Sequence, residues 1–378
     1  MKNLLKKEGT ASFFSAAAAV VMGLIIGLIV LLIASPSKAF GGFAMILSGG
    51  LSDMKNFGQV LYYATPIIMT GLSVAFANKT GLFNIGGAGQ YMVGSFAAVY
   101  VGIEWNFLPP ILHCIVALLA ATLAGAIWGL VPGLMKAYCN VNEVISCIMM
   151  NYIGLNLVNL LVRQTIFDST RNQSYWPEET AELPKLGFDK IFVAGGTPSS
   201  VNAGIVIAVL AGVLMYVIIN RTKFGYELKA CGLNREAARY AGINEKKSIV
   251  MSMIIAGALA GLGGALYYLS GAGTGIAITE ELAAEGFNGI PVALLGMSNP
   301  IGAIFAGVFI SYLKVGGQAM QSLGLAPQII DIITSVIIYF AAFALFFKLL
   351  LAKLTAGKQT ANANAEPAPK KDEKGGTA

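Results

Sequence analysis

The 378-residue chain is poor in charge and rich in apolar side chains, with 12% charged and 56% hydrophobic residues. Soluble domains usually carry about 25% charged residues and about 45–50% apolar residues, glycine included. This composition excludes an ordinary set of soluble domains and indicates a membrane protein. The net charge of +6 does not indicate a nucleic-acid partner, because the basic residues lie between apolar runs and form no groove interleaved with aromatic side chains.

Cysteine and histidine give no support for metal or nucleophilic chemistry. The four cysteines, Cys114, Cys139, Cys147 and Cys231, have no C-x-x-C spacing, and His113 is the only histidine. His113 has no carboxylate at helical spacing, so neither a zinc site nor a Ser-His-Asp or Cys-His site is predicted. We expect His113 to be an interfacial residue, and we expect no catalytic residue, metal site or bound cofactor in this chain.

The first apolar stretch, Phe13 to Ala34, follows the basic residues Lys2, Lys6 and Lys7. It is longer than the core of about 7–15 residues that is typical of a signal peptide. We predict a retained first helix that enters the membrane from the cytoplasm. The alternative is a cleaved signal ending at Ala39.

Further apolar runs are long enough to cross about 30 Å of hydrocarbon at about 1.5 Å per residue. A shorter run, 287–297, ends at an Asn-Pro pair and is predicted to be a short or broken helix. Together with the first helix these runs predict an all-α polytopic membrane protein with about ten membrane-embedded helices. The eight long runs are 60–78, 82–103, 111–135, 144–162, 201–220, 248–269, 300–320 and 328–350.

Loop charges predict the orientation of the 13–350 membrane domain. Residues 221–247 hold seven basic and three acidic residues, whereas residues 163–200 hold four basic and five acidic residues. The positive-inside rule therefore places 221–247 in the cytoplasm and 163–200 outside. Residues 1–12 and a lysine-containing tail, 351–378, are expected to be cytoplasmic, and the composition of the tail predicts disorder. Two cytoplasmic ends require an even number of crossings, which is why the short run 287–297 is counted.

Ionisable side chains are scarce between the predicted interfaces. Glu143 and Asp331 lie at predicted helix starts, and Lys314 lies in a late turn. Proton-coupled carriers need buried groups that change charge, so this core is predicted to be unsuited to proton coupling. Sodium coupling through backbone carbonyls of unwound helices stays open.

Two similar segments interrupt the apolar runs, Gly-Leu-Phe-Asn-Ile-Gly at 81–86 and Gly-Phe-Asn-Gly-Ile-Pro at 286–291. Interruptions at corresponding places in two halves are typical of inverted repeats with broken helices beside a transport pathway. Asn84 and Asn288 are therefore candidate pathway residues. The alternative is that these glycines only allow helices to pack closely. Close packing is the role expected for Gly125, Gly129, Gly133, Gly257 and Gly261.

A polar face is predicted on the helix that begins near residue 143. Glu143, Cys147, Asn151 and Asn159 follow one another at helical spacing and are expected to point inward. Two roles stay open for Asn151, which are a hydrogen bond to solute and a hydrogen bond to a neighbouring helix.

The basic loop 221–247 is predicted to contain a short helix. Asn234 is a good N-cap, an acid follows in the first turn, and Gly242 ends the helix. Three alanines, Ala237, Ala238 and Ala241, would allow the helix to sit closely in a groove of another protein; the alternative is a solvated connector. No G-x-x-x-x-G-K-[ST] motif occurs, so ATP binding is assigned to a separate subunit. The residues predicted to contact that ATPase are Asn234, Arg235, Glu236, Ala237, Ala238, Arg239 and Gly242.

These motifs carry a resemblance to a known family. Residues 236–242 resemble the EAA-type coupling motif of ABC importer permeases, and residues 81–90 resemble the signature of permeases for branched-chain amino acids, ribose and nucleosides. Segments 142–152, 252–265 and 286–296 are most similar to the nucleoside (guanosine-type) branch. The sequence departs from the family pattern at Ala88, where an acid is usual, and at Pro291, where alanine is usual.

The resemblance implies a type II ABC importer-like permease that carries nucleosides across the cytoplasmic membrane. It implies a cytoplasmic ATPase, expected to be double-length, a second related permease subunit and an extracellular substrate-binding lipoprotein. The expected pathway residues are Asn84, Gln90, Asn151 and Asn288, and a neutral nucleoside suits an uncharged core. The alternatives are a permease for branched-chain amino acids or a sugar, and an ion-coupled secondary carrier. Glu285, with its acidic neighbours at 280 and 281, is expected to meet basic residues of the binding protein.

Overall fold

The computed structural model describes residues 8–341, 343 and 346, with side chains described from Ser15 onward. Residues 1–7 of the predicted cytoplasmic N-terminus and the predicted tail 351–378 lie outside the described residues, as does most of the last predicted run beyond Ala341. The described part is largely helical. Helices satisfy every backbone hydrogen bond internally, which is the requirement that a hydrocarbon environment imposes.

Fourteen α-helices follow one another in the described part of the chain, with two short antiparallel hairpins between the sixth and eighth helices. The hairpins are β1 (Phe167–Asp168) with β2 (Gln173–Ser174) and β3 (Val193–Ala194) with β4 (Thr197–Pro198). The helices are α1 Glu8–Ala34, α2 Ala39–Ser48, α3 Met54–Lys79, α4 Gly87–Glu104, α5 Pro110–Cys139, α6 Glu143–Thr165, α7 Phe188–Ile191, α8 Gly204–Arg221, α9 Lys223–Leu233, α10 Arg235–Tyr240, α11 Glu245–Tyr268, α12 Ala284–Leu295, α13 Pro300–Ala319 and α14 Pro327–Ala341.

Seven described helical segments are long and apolar enough to cross a membrane. The chain is thus an all-α polytopic membrane protein. Each of the ten predicted runs corresponds to a helix, but α4, α12 and α14 are not among the seven, so ten crossings stay a prediction. The seven segments are Ser15–Ala34, Met54–Lys79, Pro110–Cys139, Glu143–Thr165, Gly204–Arg221, Glu245–Tyr268 and Pro300–Leu323.

The centre of the bundle is α3, whose most apolar stretch is almost entirely buried by α11, α12 and α13. Beside it, α5 and α11 approach closely through glycines. A methyl group added to Gly129 or Gly257 would meet backbone atoms of the facing helix, and one added to Gly133 would lie 3.0 Å from the Met253 Cβ. Small residues let helix backbones touch and gain dispersion contacts where no hydrophobic driving force exists. The close-packing role predicted for these glycines is confirmed.

The two loops that were contrasted by charge lie at opposite ends of the bundle. At one end, the Thr80 hydroxyl donates to the Ser252 hydroxyl over 2.8 Å near the start of α11, beside α9 and α10. At the other, the Leu183 N–H donates to the Leu269 carbonyl over 2.8 Å, where α11 ends and the β-hairpins lie. We call these the α9/α10 end and the hairpin end.

His113 is completely buried near the hairpin end. Its Nε2 lies 2.8 Å from the Val101 carbonyl oxygen, and its Nδ1 lies 2.9 Å from the Thr180 hydroxyl. A carbonyl can only accept, so a hydrogen is assigned to Nε2, which donates to Val101, while Nδ1 shares a hydrogen bond with the Thr180 hydroxyl. His113 therefore holds α4 and α5 to the hairpin segment. The ring is enclosed by protein near the first turn of α5, and its position at the membrane interface stays a prediction.

Candidate translocation pathway and coupling helix

The two interrupted segments singled out by sequence touch each other in the structure. Residues 80–86 are not helical, which corrects the prediction of a helix from Leu82, and α4 begins only at Gly87. A methyl group added to Gly286, in the first turn of α12, would collide with the Ala88 Cα and lie 2.8 Å from the Ala88 nitrogen. The starts of α4 and α12 therefore meet backbone to backbone. The inverted-repeat relation between them stays a prediction.

Asn84 lies at the centre of this break, with its side chain completely buried. Its Nδ2 donates to the Ser73 hydroxyl over 3.0 Å and to the Gln90 Oε1 over 2.8 Å. Its Oδ1 accepts from the Gln90 Nε2 at 3.2 Å and from the Gly86 N–H at 3.1 Å. Both amide hydrogens are used, so Asn84 has no donor left for solute in this conformation. The pathway role of Asn84 and Gln90 stays a prediction that requires a second conformation.

Asn151 fastens α6 to the same break. Its Nδ2 donates to the Ile85 carbonyl over 3.0 Å, and its Oδ1 accepts from the Gly89 N–H at 2.8 Å. Of the two roles left open for Asn151, the structure contains the hydrogen bonds to neighbouring backbone. Cys147 and Asn159 also contact neighbouring elements, so this polar face of α6 points inward as expected.

We expect Asn84→Ala to destabilise the protein by about 1–3 kcal/mol, because it leaves the buried Gln90 side-chain amide without its partner, whereas the Ser73 hydroxyl keeps its bond to the Ala256 carbonyl. The change should appear as a lower midpoint of thermal unfolding for the detergent-purified permease. Asn156→Ala is the matched control, since Asn156 is exposed and bonds only to the Tyr152 carbonyl one turn earlier. Equal shifts for the two variants would contradict a fastening role for Asn84.

Asn288 differs from the other three candidate pathway residues. It lies half-buried on α12, and its side chain makes no hydrogen bond within the described part of the chain. The neighbouring Gly289 packs against the backbone of Thr70 and Gly71, so α12 is held by its glycine face. Asn288 thus has its donors and acceptor free.

An ion pair joins α12 to α13 near Asn288. The Lys314 Nζ is 3.2 Å from the Glu285 Oε1 and 4.7 Å from the centre of the Tyr63 ring. The expectation of a core without charge is corrected, whereas the contact of Glu285 with a binding protein stays a prediction. The pair has no net charge, and pairing reduces the cost of removing both groups from water.

The short helix predicted in the basic loop is α10, and its ends are those expected. The Asn234 Oδ1 accepts from the Ala237 N–H at 3.0 Å. At the other end, Gly242 has φ +80°, and the Ile243 N–H donates to the Ala238 carbonyl over 3.0 Å. A left-handed glycine with such a bond ends many helices.

The surface of α10 differs from the predicted one. Ala238 is only 4% exposed because α10 packs against α9 and α11, so Ala238 is not available to a partner, whereas Ala237 and Ala241 are exposed. The most exposed apolar side chains here are Leu233 at 90% and Tyr240 at 91%. Sequence reasoning missed both, although an isolated leucine and tyrosine in a polar loop were available as a signal.

The end of α9 touches the break directly. Methyl groups added to Gly232 or Gly81 would each lie about 3 Å from the other's backbone, and Gly81 has φ +71°. The end of α9 therefore lies in direct backbone contact with the start of residues 80–86. In the described residues, no group of three His, Cys, Asp or Glu side chains is placed to hold a metal ion.

An apolar helical bundle with seven candidate membrane spans and a polar break at its centre is a polytopic membrane protein. The pattern of the family described as "Branched-chain amino acid transport system / permease component" matches residues 56–342. The chain belongs to this permease family.

Three curated relatives are similar over most of the chain. The guanosine ABC transporter permease protein NupP of Bacillus subtilis (strain 168) is 37% identical over 89% of this chain and 94% of its own. The nucleoside ABC transporter permease protein NupB of Lactococcus lactis subsp. cremoris (strain MG1363) is 33% identical over 94% and 96%. The glucose ABC transporter permease protein TsgB13 of Haloferax volcanii is 33% identical over 79% of each chain.

Membership of this permease family establishes the role of the chain. It is a membrane-spanning permease subunit of an ABC transporter and not an enzyme, since ATP hydrolysis in such a system belongs to a separate ATPase subunit. Its partners are the ATPase and the other subunits of an ABC system.

Proposed function

We propose that this chain forms the translocation pathway of an ATP-driven importer for nucleosides in the cytoplasmic membrane. The observation that carries the proposal is the near-full-length similarity to NupP and NupB, whose names state guanosine and nucleoside transport. A sugar is the second candidate substrate, because the glucose permease TsgB13 is as similar as NupB over a smaller share of the chain.

The orientation that we propose has residues 221–247 in the cytoplasm, residues 163–200 outside and both termini inside. The support is the charge contrast of the two loops and their positions at opposite ends of the bundle. In this arrangement α4, the short α12 and α14 complete ten membrane-embedded segments, and the contact of α4 with α12 at Ala88 and Gly286 lies within the bundle.

The subunit arrangement that we propose pairs this chain with a second, related permease. A double-length ATPase docks on α10, and a lipoprotein delivers the nucleoside outside. Closure of the ATPase displaces α10 and α9, and the Gly232–Gly81 contact transmits the movement to residues 80–86. Separation of α4 from α12 then opens the pathway, with Asn288 able to hydrogen-bond a passing neutral solute. No cofactor is assigned to this chain.

The proposal is tested by reconstituting the complete complex in proteoliposomes and measuring the uptake of labelled guanosine. We expect uptake that requires ATP and the binding protein and that stops when the ATPase subunit cannot hydrolyse ATP. Labelled leucine and glucose serve as competing substrates. Uptake of glucose or leucine in preference to guanosine would show that the substrate is not a nucleoside. Guanosine uptake driven by a sodium or proton gradient without the ATPase would show that transport is not driven by ATP.

A further inference from the structure

The exposed face of α6 differs from the exposed faces of α1 and α5. Those two helices present only apolar side chains through their middle turns, as Leu119 and Leu123 of α5 illustrate. On α6, Tyr152 and Asn156 lie exposed among apolar neighbours. Polar side chains inside a membrane are costly and are rarely left facing lipid. The exposed asparagine therefore indicates that this face of α6 is covered in the assembled transporter.

Both polar side chains lie at the middle of the helix. α6 runs from Glu143 to Thr165 and is about 35 Å long at about 1.5 Å per residue, so Gly154 is its central residue. Tyr152 and Asn156 are each about 3 Å from this centre along the axis, well inside a hydrocarbon layer of about 30 Å. A cytoplasmic ATPase and an external binding protein do not reach this depth. A partner for these side chains must itself lie in the membrane.

Asn156 retains hydrogen-bonding capacity for such a partner. Its Nδ2 donates to the Tyr152 carbonyl of the same helix over 2.8 Å. The second amide hydrogen and the Oδ1 make no hydrogen bond within the described part of the chain, and the same holds for the Tyr152 hydroxyl. Lipid tails offer no hydrogen bond to these groups.

The apolar side chains around Asn156 have the spacing of a helix-packing seam. Exposed residues recur seven positions apart, with Met149 before Asn156 and Ile153 before Leu160. Helices that pack along their length show this spacing, and a single asparagine in such a seam fixes the partner and the register. The wall is largely apolar, so it favours a helix over a polar solute. A shallow groove along it is lined by Met149, Tyr152, Ile153, Asn156, Leu157 and Leu160.

We propose that this face of α6 packs against a transmembrane helix of the second, related permease subunit, with Asn156 hydrogen-bonded across the contact. The helix of the second subunit supplies the polar group that lipid lacks. The opposite face of α6 bonds to residues 85 and 89 through Asn151, so the contact lies one helix away from the break. This inference rests on the proposed pairing of two permeases and is independent of which substrate is carried.

Photo-crosslinking tests the position of this surface. The photoreactive residue p-benzoylphenylalanine is introduced in place of Ile153 on α6 and, as the matched control, in place of Leu123 on α5. Both native side chains are more than half exposed, and both lie near the middle of their helices. Irradiation of membranes that contain the complete complex should join the Ile153 variant to the second permease and should join the Leu123 variant to no other subunit.

Asn156→Leu tests the hydrogen bond, because leucine keeps the side chain at a similar size and leaves the seam apolar. We expect the association constant of the two permeases in detergent to fall by about 3- to 20-fold, the range for one hydrogen bond between membrane helices. The unfolding midpoint of the isolated variant should stay at the wild-type value, since Asn156 bonds only within its own helix.

Asn220→Leu is the matched control for the hydrogen bond. Asn220 is also exposed, and its Nδ2 also donates to a carbonyl four residues earlier, that of Tyr216, but Asn220 lies at the end of α8. This variant should leave the association of the two permeases unchanged.

The outcomes separate this inference from the proposed function. Recovery of the wild-type chain without a second permease refutes the pairing itself. If the pair is recovered, the absence of a cross-link from Ile153 overturns the α6 surface, and a cross-link between two copies of this chain overturns the choice of partner. A cross-link to the second permease with unchanged association of Asn156→Leu overturns the hydrogen bond. An increased KM of Asn156→Leu for guanosine, with no cross-link, would assign this face to the pathway instead.

Discussion

Replacing Tyr240 with aspartate is expected to abolish ATP-driven uptake while leaving the permease folded. Tyr240 is 91% exposed at the end of α10, so an aspartate there costs the fold little. At the centre of a protein interface the same change buries an unpaired carboxylate and removes an aromatic anchor, and such anchors commonly contribute about 2 kcal/mol or more to binding. We expect at least a 30-fold loss of ATPase affinity and uptake at background level.

The measurements are co-purification of the ATPase, the unfolding midpoint of the isolated permease and uptake in proteoliposomes. Leu233→Asp should behave like Tyr240→Asp, because the Leu233 side chain is equally exposed at the start of the same segment. Tyr175→Asp is the matched control, since Tyr175 is an exposed tyrosine at the hairpin end and should retain ATPase binding.

Ala238→Asp provides a contrast within the same helix. Ala238 lies on the buried side of α10, so a carboxylate there should lower both the unfolding midpoint of the isolated permease and the rate of uptake. Retention of both ATPase binding and uptake in the Tyr240→Asp and Leu233→Asp variants would show that the ATPase docks elsewhere on the α9/α10 end.

Local features of the sequence predicted the helix ends well. Asn234 and Gly242 bound α10, and Asn299 with Pro300 starts α13, because caps depend on residues only a few positions apart. The facing glycines of α5 and α11 were also predictable, because they recur at helical spacing. The short α2, Ala39–Ser48, was missed, since its glycines weaken the helical pattern.

The site depended on contacts that a single sequence does not contain. The sequence predicts that Asn84 binds solute, but in the structure its side-chain amide donates hydrogen bonds to Gln90 and Ser73. The packing of the helices decides which partner a buried amide finds. The Glu285–Lys314 pair was missed because the two residues lie on different helices. Similarity of motifs predicted which segments matter, whereas the three-dimensional packing determined which of their side chains are free.

The same substitution at two glycines should have opposite effects. Gly41→Ala on the exposed side of α2 places a methyl group 3.5 Å from the Leu323 Cδ1, an ordinary contact. The better helix propensity of alanine should stabilise the protein there by up to about 1 kcal/mol. Gly286→Ala instead places a methyl group against the backbone of Ala88, and no change of side-chain rotamer can relieve that clash.

We expect Gly286→Ala to destabilise the protein by about 1–3 kcal/mol and to reduce ATP-driven uptake by more than 10-fold, because it forces the starts of α4 and α12 apart. Thermal unfolding and uptake of both variants, measured side by side, check this. If the contact between α4 and α12 must separate during transport, Gly286→Ala should also raise ATP hydrolysis without uptake, since the break would remain open in every conformation. Normal uptake with the alanine in place would mean that these helix starts separate freely, and the pathway would then have to lie away from Gly286.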